Sequence, residues 1–176
     1  MEHSIVTVGH GTLPAAAFAT LVCDAGLDVV VDVRRHPGSR HNPQFGCDEM
    51  RRWLPGEGVA YRWMPALGGR RKTSPESPNV ALRNAQFRAY ADHMSSKEFG
   101  AAVGELLELG PAVHVAVMCS EAVWWRCHRR LLADHIVLVR GLAVRHLFHD
   151  GRLAEHPITP GARRTDDHVV YDSAPV

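Results

Sequence analysis

The sequence has 176 residues, of which 45% are hydrophobic and 22% are charged, and its formal net charge is +1. A chain of this length fits one domain with a single core. It has no apolar run long enough to span a bilayer and no basic-then-apolar leader after Met1, so we expect a soluble cytoplasmic protein without a membrane partner. Its four cysteines are too few and too scattered for the disulfide framework of a secreted protein.

The basic residues are concentrated in one part of the sequence. Between Arg34 and Arg88 there are eleven Arg or Lys residues and four Asp or Glu residues. Such a local excess favours an anionic partner, either a small molecule or a nucleic acid. Arginine outnumbers lysine eighteen to two over the whole chain, and this bias weakens the step from arginine content to phosphate recognition.

The first third of the chain alternates predicted strands and helices. Residues 4–8 are a β-branched run that predicts a strand, and an apolar stripe predicts a helix from about residue 12 to 26. Residues 27–33 predict a second strand, which the strand–helix–strand order places parallel to the first. A short helix over 48–54 and a third strand over 59–64 follow.

Polar residues and glycines follow these predicted strands. Gly9, His10 and Gly11 end the first strand, where a helix N-terminus could bind an anion, although the spacing of a dinucleotide-binding fingerprint is absent. Asp32 and Arg34 point to one side of the second strand, so the carboxylate either orients the guanidinium toward a substrate or forms a structural ion pair.

Two loops add further candidates. Ser39 and Arg40 lie in the loop 36–45 as a phosphate-binding pair, and Gly68 and Gly69 follow the third strand, where they allow either a tight turn or close approach of backbone to an anion. The segment 71–80, rich in serine and proline, is a candidate lid.

The second half contains more helix. We expect a helix over 83–94, a second opened by a capping box at Ser95 and Glu98, and strands over 113–118, 136–140 and 143–148. Trp124, Cys127, His128 and Leu131 recur at helical spacing, which predicts a helix directly after Cys119-Ser120-Glu121. That strand-to-helix turn is the position where open α/β sheets bind ligands.

Four blocks of the sequence resemble one bacterial family. One block is similar to the signature of domain of unknown function 488, DUF488. It consists of Cys119-Ser-Glu121, five further residues and then Cys127-His128-Arg129. Three further blocks resemble the same family: T7-V-G9-H10-G11, D32-V-R34-R-H-P37-G-S39-R40 with F45, and L67-G68-G69. The resemblance implies the positions of a site and does not imply a reaction.

Three interpretations of this site remain open, besides simple packing of Cys127 in the core. In the first, Cys119 is a nucleophile or redox thiol and Glu121 is its acid–base partner. Tyrosine phosphatases and rhodaneses also set a cysteine in a loop before a helix, but Arg126 follows Cys119 after six residues and the loop has no glycine. Neither phosphatase nor sulfurtransferase activity is therefore predicted.

In the second interpretation Cys119, Cys127 and His128, with Glu121 or His10, bind zinc or iron. Adjacent helical residues point about 100° apart, so Cys127 and His128 can share an ion only if the helix begins later. In the third, the basic segment belongs to a non-catalytic nucleic-acid-binding module.

Taken together, the sequence predicts an α/β protein, a single-domain three-layer α/β/α fold with a mostly parallel sheet over residues 1–155 and an extended, poorly packed tail over 156–176. We expect an enzyme of unassigned reaction that acts on an anionic substrate, which is a phosphorylated molecule, a nucleotide or a nucleic acid. The sequence makes no cofactor certain, and zinc or iron is the candidate in the second interpretation. The catalytic candidates are Cys119, Glu121, Asp32 and Arg34; the anion-binding candidates are Gly9, His10, Gly11, Ser39, Arg40, Gly68, Gly69 and Arg129.

Overall fold

A sheet of six strands runs through the centre of residues 3–173, the part of the chain that this computed structural model describes. Along the chain the strands are β1 (Ser4–Gly9), β2 (Val29–Asp32), β3 (Ala60–Trp63), β4 (Val115–Cys119), β5 (Ala143–Leu147) and β6 (Leu153–Glu155). Their order in the sheet is β3-β2-β4-β1-β5-β6, and only the β5–β6 pair among them is antiparallel. The prediction of a mostly parallel sheet is confirmed.

Five helices cover the two faces of this sheet within the described residues: α1 (Ala15–Asp24), α2 (Cys47–Trp53), α3 (Ala85–Met94), α4 (Lys97–Leu107) and α5 (Arg129–Arg140). Side chains alternate across β1, so that Ile5 belongs to the core under α3, α4 and α5, whereas Val6 and Val8 belong to the core under α1 and α2. The three-layer α/β/α prediction is therefore confirmed. None of the helices within residues 3–173 has both the length and the apolar character needed to cross a membrane.

The central strand, β4, brings the carboxyl ends of three strands together. All five residues of β4 are buried, as expected for a strand that is covered on both faces by helices. It lies between β2 and β1, and its last residue, Cys119, is in register with Gly9. The ends of these three strands therefore meet at one edge.

Three local predictions are wrong. Residues 136–140 are the second half of α5 rather than a strand, and Gly141 ends that helix at a φ of 68°. The helix begins only at Arg129, because residues after Cys119 form a loop with one 3-10 turn over Trp124–Arg126. Ser96, one residue after the expected cap, caps α4 by accepting from the backbone N–H of Phe99.

The tail prediction is also wrong for the described residues up to 173; residues 174–176 lie outside them. The segment forms an antiparallel pair, β7 (Ala162–Arg164) and β8 (Val169–Tyr171). Tyr171 is fully buried, and its hydroxyl donates to Asp134 on α5 over 2.7 Å. Its backbone N–H donates to Asn79 Oδ1 over 2.9 Å, which fastens the end of the segment 71–80 that we expected to be a lid.

Candidate functional site

Backbone contacts between β1 and the loop after β4 build the base of the site. Gly9 passes so close to this loop that a Cβ atom would lie 1.8 Å from the carbonyl oxygen of Glu121. Beyond it, the N–H groups of His10 and Gly11 donate to the carbonyl oxygens of Cys119 and Ser120 over 3.0 and 2.9 Å. The Gly9-His10-Gly11 turn thus binds the protein's own loop, and these two N–H groups are not directed at an anion.

The loop brings two cysteines together. Cys119 ends β4 and Cys127 immediately precedes His128 and α5, yet their Sγ atoms are only 2.7 Å apart. That separation is well inside the roughly 3.5–4.0 Å of ordinary contacts between carbon atoms. Neither cysteine is in a disulfide, and both are nearly buried, with exposures of 2% and 6%. They form a hydrogen-bonded thiol pair.

The late start of α5 gives Cys127, not Cys119, the helix N-terminus. The backbone N–H of Arg129 donates to Cys127 Sγ over 3.5 Å, and Nδ1 of His128 lies 3.6 Å from the same sulfur. Burial opposes ionisation, but the hydrogen bond from Cys119 and the nearby His128 and Arg129 bring the pKa of Cys127 well below its usual value. Burial raises the pKa of the Cys119 thiol. These contacts favour the thiolate on Cys127 over that on Cys119.

The buried side chain of Arg129 binds the loop that connects Cys119 to Cys127. Its side chain is 1% exposed, its Nη2 donates to the carbonyl oxygen of Glu121, and its Nη1 donates to Thr7 Oγ1 over 3.2 Å. The guanidinium does not line the cavity described below. It supplies a buried positive charge beneath the two sulfur atoms and fixes the loop that carries them.

A cavity of about 360 Å³ opens above the thiol pair. Cys119, Cys127 and His128 line it. The other lining residues are mostly positive or polar, with Gly69 and Phe87 as the exceptions: Arg34, Arg35, His36, Gly69, Arg70, Gln86, Phe87, Ser120, Glu121 and Arg126. Four arginines and one carboxylate surround it, so its charge favours an anionic occupant. A second cavity of about 660 Å³ adjoins it and shares Arg34, His36, Arg70, Ser120 and Glu121.

Asp32 and Arg34 form a bidentate ion pair. Arg34 Nε and Nη2 donate to the two carboxylate oxygens of Asp32 over 2.9 and 2.7 Å. Nη2 also donates to the carbonyl oxygen of Phe45, and Nη1 donates to Nε2 of His10 over 3.0 Å. Burial lowers the pKa of His10 to about 4, so its ring is neutral and can accept this bond. Most of the N–H groups of the Arg34 guanidinium therefore donate to acceptors within the protein.

A family model and two solved structures match this chain. The model, described as "Domain of unknown function DUF488", matches residues 14–136. The chain belongs to the DUF488 family. This confirms the resemblance drawn from the Cys119 to Arg129 signature and its companion blocks.

No curated protein matches this DUF488 chain. Two crystal structures of a DUF442 protein of Shewanella putrefaciens CN-32, each titled "Putative phosphatase", resemble it. They share 16% and 17% identity with TM-scores of 0.46 and 0.45, over 80% and 77% of this chain and 67% of theirs. A likeness at this level decides neither the fold nor the chemistry of the DUF488 protein.

The fold brings many of the expected residues together and leaves some aside. Glu121 lies at the mouth shared by both cavities, and Ser39 lines the second one while its Oγ accepts from the N–H groups of residues 41 and 42. Arg40 is exposed and lines neither cavity.

The two glycines after β3 allow close packing. Gly68 lies against the backbone that follows β2, since a Cβ there would lie 2.3 Å from the carbonyl oxygen of Val33. Gly69 lets the ring of His128 approach, with Nδ1 2.9 Å from where its Cβ would be.

Arg35, Arg70 and Arg126 are the arginines of the cavity that were not among the site candidates from the sequence. Arg35 Nη1 donates to the carbonyl oxygen of Arg70 over 2.8 Å, and Arg70 has a left-handed backbone with a φ of 57°. For Arg35 and Arg70 the signal in the sequence was the basic excess between Arg34 and Arg88 and the position of Arg70 directly after Gly69, whereas Arg126 lies outside that segment. Neither feature distinguishes a cavity arginine from a solvated one.

The metal interpretation finds little geometric support in the thiol pair. Within residues 3–173 no group of three or more His, Cys, Asp or Glu side chains is arranged to hold an ion. With Zn–S bonds of about 2.3 Å and tetrahedral angles, two ligand sulfurs would lie about 3.8 Å apart. The sulfurs of Cys119 and Cys127 are closer than that, at 2.7 Å.

Proposed function

We propose that this DUF488 protein is an enzyme whose Cys119–Cys127 thiol pair acts on a small anionic substrate. The observation that carries the proposal is the pair itself, 2.7 Å between the sulfurs, at the floor of an arginine-lined cavity. A thiolate is the reactive form of cysteine, and a helix N-terminus with adjacent cations is the environment that favours it. Cys127 has this environment, and Cys119 donates the hydrogen bond that stabilises it.

The roles of the other residues follow from their positions. The Cys127 thiolate attacks an electrophilic atom of the substrate, while Arg35, Arg70 and Arg126 around the opening hold its negative charge. Glu121 is the acidic residue that lines the cavity, and its side chain is exposed, so it can exchange a proton with a bound substrate. Asp32 and Arg34 support the opening rather than react, because their charges neutralise each other.

The size of the cavity favours a small molecule. Ligand sites for small molecules span about 300–1,000 Å³, and the cavity above the cysteines has about 360 Å³. A nucleic acid would bind along an open basic groove and would not need a thiol at the floor. A binding module without turnover is therefore the second candidate and an outcome of the test below.

The test is alkylation with a charged and a neutral reagent. In a Cys23→Ser, Cys47→Ser background, we expect iodoacetate to react with Cys127 faster, relative to iodoacetamide, than it does with free cysteine. Arg126→Ala should lower this ratio, whereas Arg52→Ala, on the exposed face of α2, should leave it unchanged. Cys127→Ser should abolish the fast reaction.

Three results would overturn the proposal. One is a ratio equal to that of free cysteine at all pH values. Another is salt-dependent binding to nucleic acid that survives Cys127→Ser in a protein without a reactive thiol. The third is near-stoichiometric zinc or iron that disappears in Cys119→Ser, which would favour the metal interpretation.

A further inference from the structure

We infer that the reaction at this site is thiol–disulfide exchange on an anionic disulfide, with Cys127 as the attacking cysteine and Cys119 as the resolving cysteine. This inference rests on the proposed function and names its substrate class. It is carried by the geometry of the two sulfurs, by the residues that surround them and by the shape of the adjoining space.

The sulfurs are placed for bond formation. A disulfide has an S–S length of about 2.05 Å, so the sulfurs of Cys119 and Cys127 have about 0.7 Å left to close from their present 2.7 Å. Cys127 has an extended backbone, with φ −120° and ψ 151°, in front of the helix rather than inside it. Small rotations of this side chain move its sulfur without disturbing α5.

The group in contact with the nucleophile identifies the second step. A hydrolytic enzyme needs a base beside its nucleophile to activate water, and Nδ1 of His128 lies 3.6 Å from Cys127 Sγ, but the side chain closest to that sulfur, at 2.7 Å, is another thiol. Cys119 is the last residue of the buried strand β4 and is the less exposed of the two cysteines, at 2% against 6% for Cys127. From that position it can reach Cys127 Sγ, and it is poorly placed to attack a substrate first.

The exchange balances without a further co-reactant. The Cys127 thiolate attacks one sulfur of the disulfide R–S–S–R, the S–S bond breaks, and one RS⁻ leaves and takes the proton of Cys119. The Cys119 thiolate then attacks Cys127 Sγ, the mixed disulfide breaks, and the second RS⁻ leaves and takes up from solvent the proton that Cys127 released when it ionised. The substrate gains two electrons and becomes two thiols, while the protein dithiol loses two electrons and becomes the Cys119–Cys127 disulfide.

The surroundings indicate an anionic disulfide with two halves. The first cavity offers Arg35, Arg126 and the ring of Phe87 beside the cysteines. The second cavity shares Arg70 and Glu121 with the first and is also lined by polar residues, among them Thr12, Ser39 and Asn42. A disulfide whose halves carry carboxylates can place the half that bonds to Cys127 in the first cavity and the departing half in the second.

The experiment uses two chromogenic disulfides on the Cys23→Ser, Cys47→Ser protein. The anionic probe is 5,5′-dithiobis(2-nitrobenzoate), and its neutral counterpart is 2,2′-dithiodipyridine. With the anionic probe, we expect rapid release of two thiol equivalents per chain and, by mass spectrometry, an internal disulfide without adduct. Cys119→Ser should release one equivalent and keep the mixed disulfide on Cys127, and Cys119→Ala provides the same test if the serine variant folds poorly.

The arginines separate this site from any pair of neighbouring thiols. Arg126→Ala should slow the anionic probe about tenfold, as expected for lost electrostatic steering, and should leave the neutral probe unchanged. Dithiothreitol should restore both thiols and permit a second round of release.

Two outcomes overturn the inference in distinguishable ways. If Cys127 shows the fast, charge-selective alkylation of the proposed function but its mixed disulfide persists in the presence of Cys119, the resolving role is refuted and the proposed function stands. If Cys127 reacts with both disulfides and both alkylating reagents no faster than free cysteine, the inference and the proposed function fail together.

Discussion

Nε2 of His156 donates a hydrogen bond to Oδ1 of Asp134 over 2.8 Å, and both side chains are completely buried. A carboxylate only accepts, so in the neutral imidazole of His156 the other nitrogen, Nδ1, accepts from Nε2 of His146 at 2.9 Å. Nδ1 of His146 in turn accepts from the hydroxyl of Thr7 at 2.6 Å.

Thr7 connects this chain of hydrogen bonds to the cysteine site. Its Oγ1 accepts from Nη1 of Arg129, the residue that lies beneath the two thiols. At the other end, Asp134 accepts from the hydroxyl of Tyr171 in β8. The C-terminal hairpin and the loop that carries Cys127 are therefore joined through one buried polar network, which needs every member because partly satisfied networks are costly.

Tyr171→Phe tests the hairpin end of this network. The substitution keeps the ring and removes one hydrogen bond to a buried carboxylate, so we expect the free energy of unfolding to fall by about 1.5–3 kcal/mol. Urea denaturation followed by circular dichroism measures it. Arg163→Ala, which breaks the exposed Arg163–Asp172 pair of the same hairpin, should change little. Equal losses in the two variants would contradict the role of the network.

The stability of the protein should decrease in mild acid. Burial lowers the pKa of His146 to about 3 and those of His10 and His135 to about 4, below the ordinary 6.5. Between pH 6.5 and these values the unfolded chain binds protons that the native protein does not. The stabilisation is fully present above pH 6.5, and each group loses up to about 1.4 kcal/mol for each pH unit as the pH falls.

His135→Leu isolates one of these groups. The ring of His135 is buried against Phe99, and neither of its nitrogens has a hydrogen-bond partner among the described residues. The leucine variant should be more stable than the parent, and its advantage should grow from pH 7 to pH 5. Thermal unfolding at both pH values measures this, and an advantage that is independent of pH would show that the pKa of His135 is the same in the native and the unfolded protein.

The sequence predicted the sheet and the edge where the site lies, because both follow from local patterns. The buried run of β4 and the β-branched run of β1 are recognisable from composition, and parallel strands bring their carboxyl ends together. The pairing of Cys119 with Cys127 was not predictable. It depends on the late start of α5, where the spacing of Trp124, Cys127 and Leu131 fitted a helix equally well.

Long-range contacts override the local pattern in that loop and in the tail. The carbonyl oxygen of Glu121 accepts from Arg129, and its side chain accepts from the N–H of Val123 over 3.0 Å, which keeps the loop out of helical geometry. β8 has only three residues, and it is stable because Tyr171 bonds to Asn79 and Asp134, which are distant in sequence. Likewise, the β-branched residues at 136–140 gave no sign that α5 would continue through them.

Gly9→Ala tests the close approach that builds the site. A methyl group would collide with the backbone of Glu121, and backbone atoms cannot rotate away, so we expect a loss of more than about 3 kcal/mol in the free energy of unfolding. Gly104→Ala is the matched control. It lies within α4 with nothing within 4 Å of its Cβ position, and it should stabilise the protein by about 0.5–1 kcal/mol. Comparable effects in the two variants would contradict the close packing at Gly9.

Arg70 combines a strained backbone with a charge at the junction of the two cavities. Its φ of 57° lies in the left-handed region, which costs a residue other than glycine about 1–2 kcal/mol. Arg70→Gly removes that strain, and because a flexible glycine costs about 0.5–1 kcal/mol, we expect the free energy of unfolding to stay the same or to rise slightly. Arg70→Ala keeps the strain and should be the less stable of the two variants.

Both Arg70 variants should react with iodoacetate more slowly, relative to iodoacetamide, than the parent does, because each lacks the charge at the opening of the cavities. Stability and selectivity are thereby separated within one position. An unchanged alkylation ratio in both variants would exclude the Arg70 charge from anion recognition. If the glycine variant is less stable than the alanine variant, the left-handed backbone of Arg70 carries no strain. The reason for that backbone conformation would then be the carbonyl oxygen of Arg70, which accepts from Arg35 and positions it.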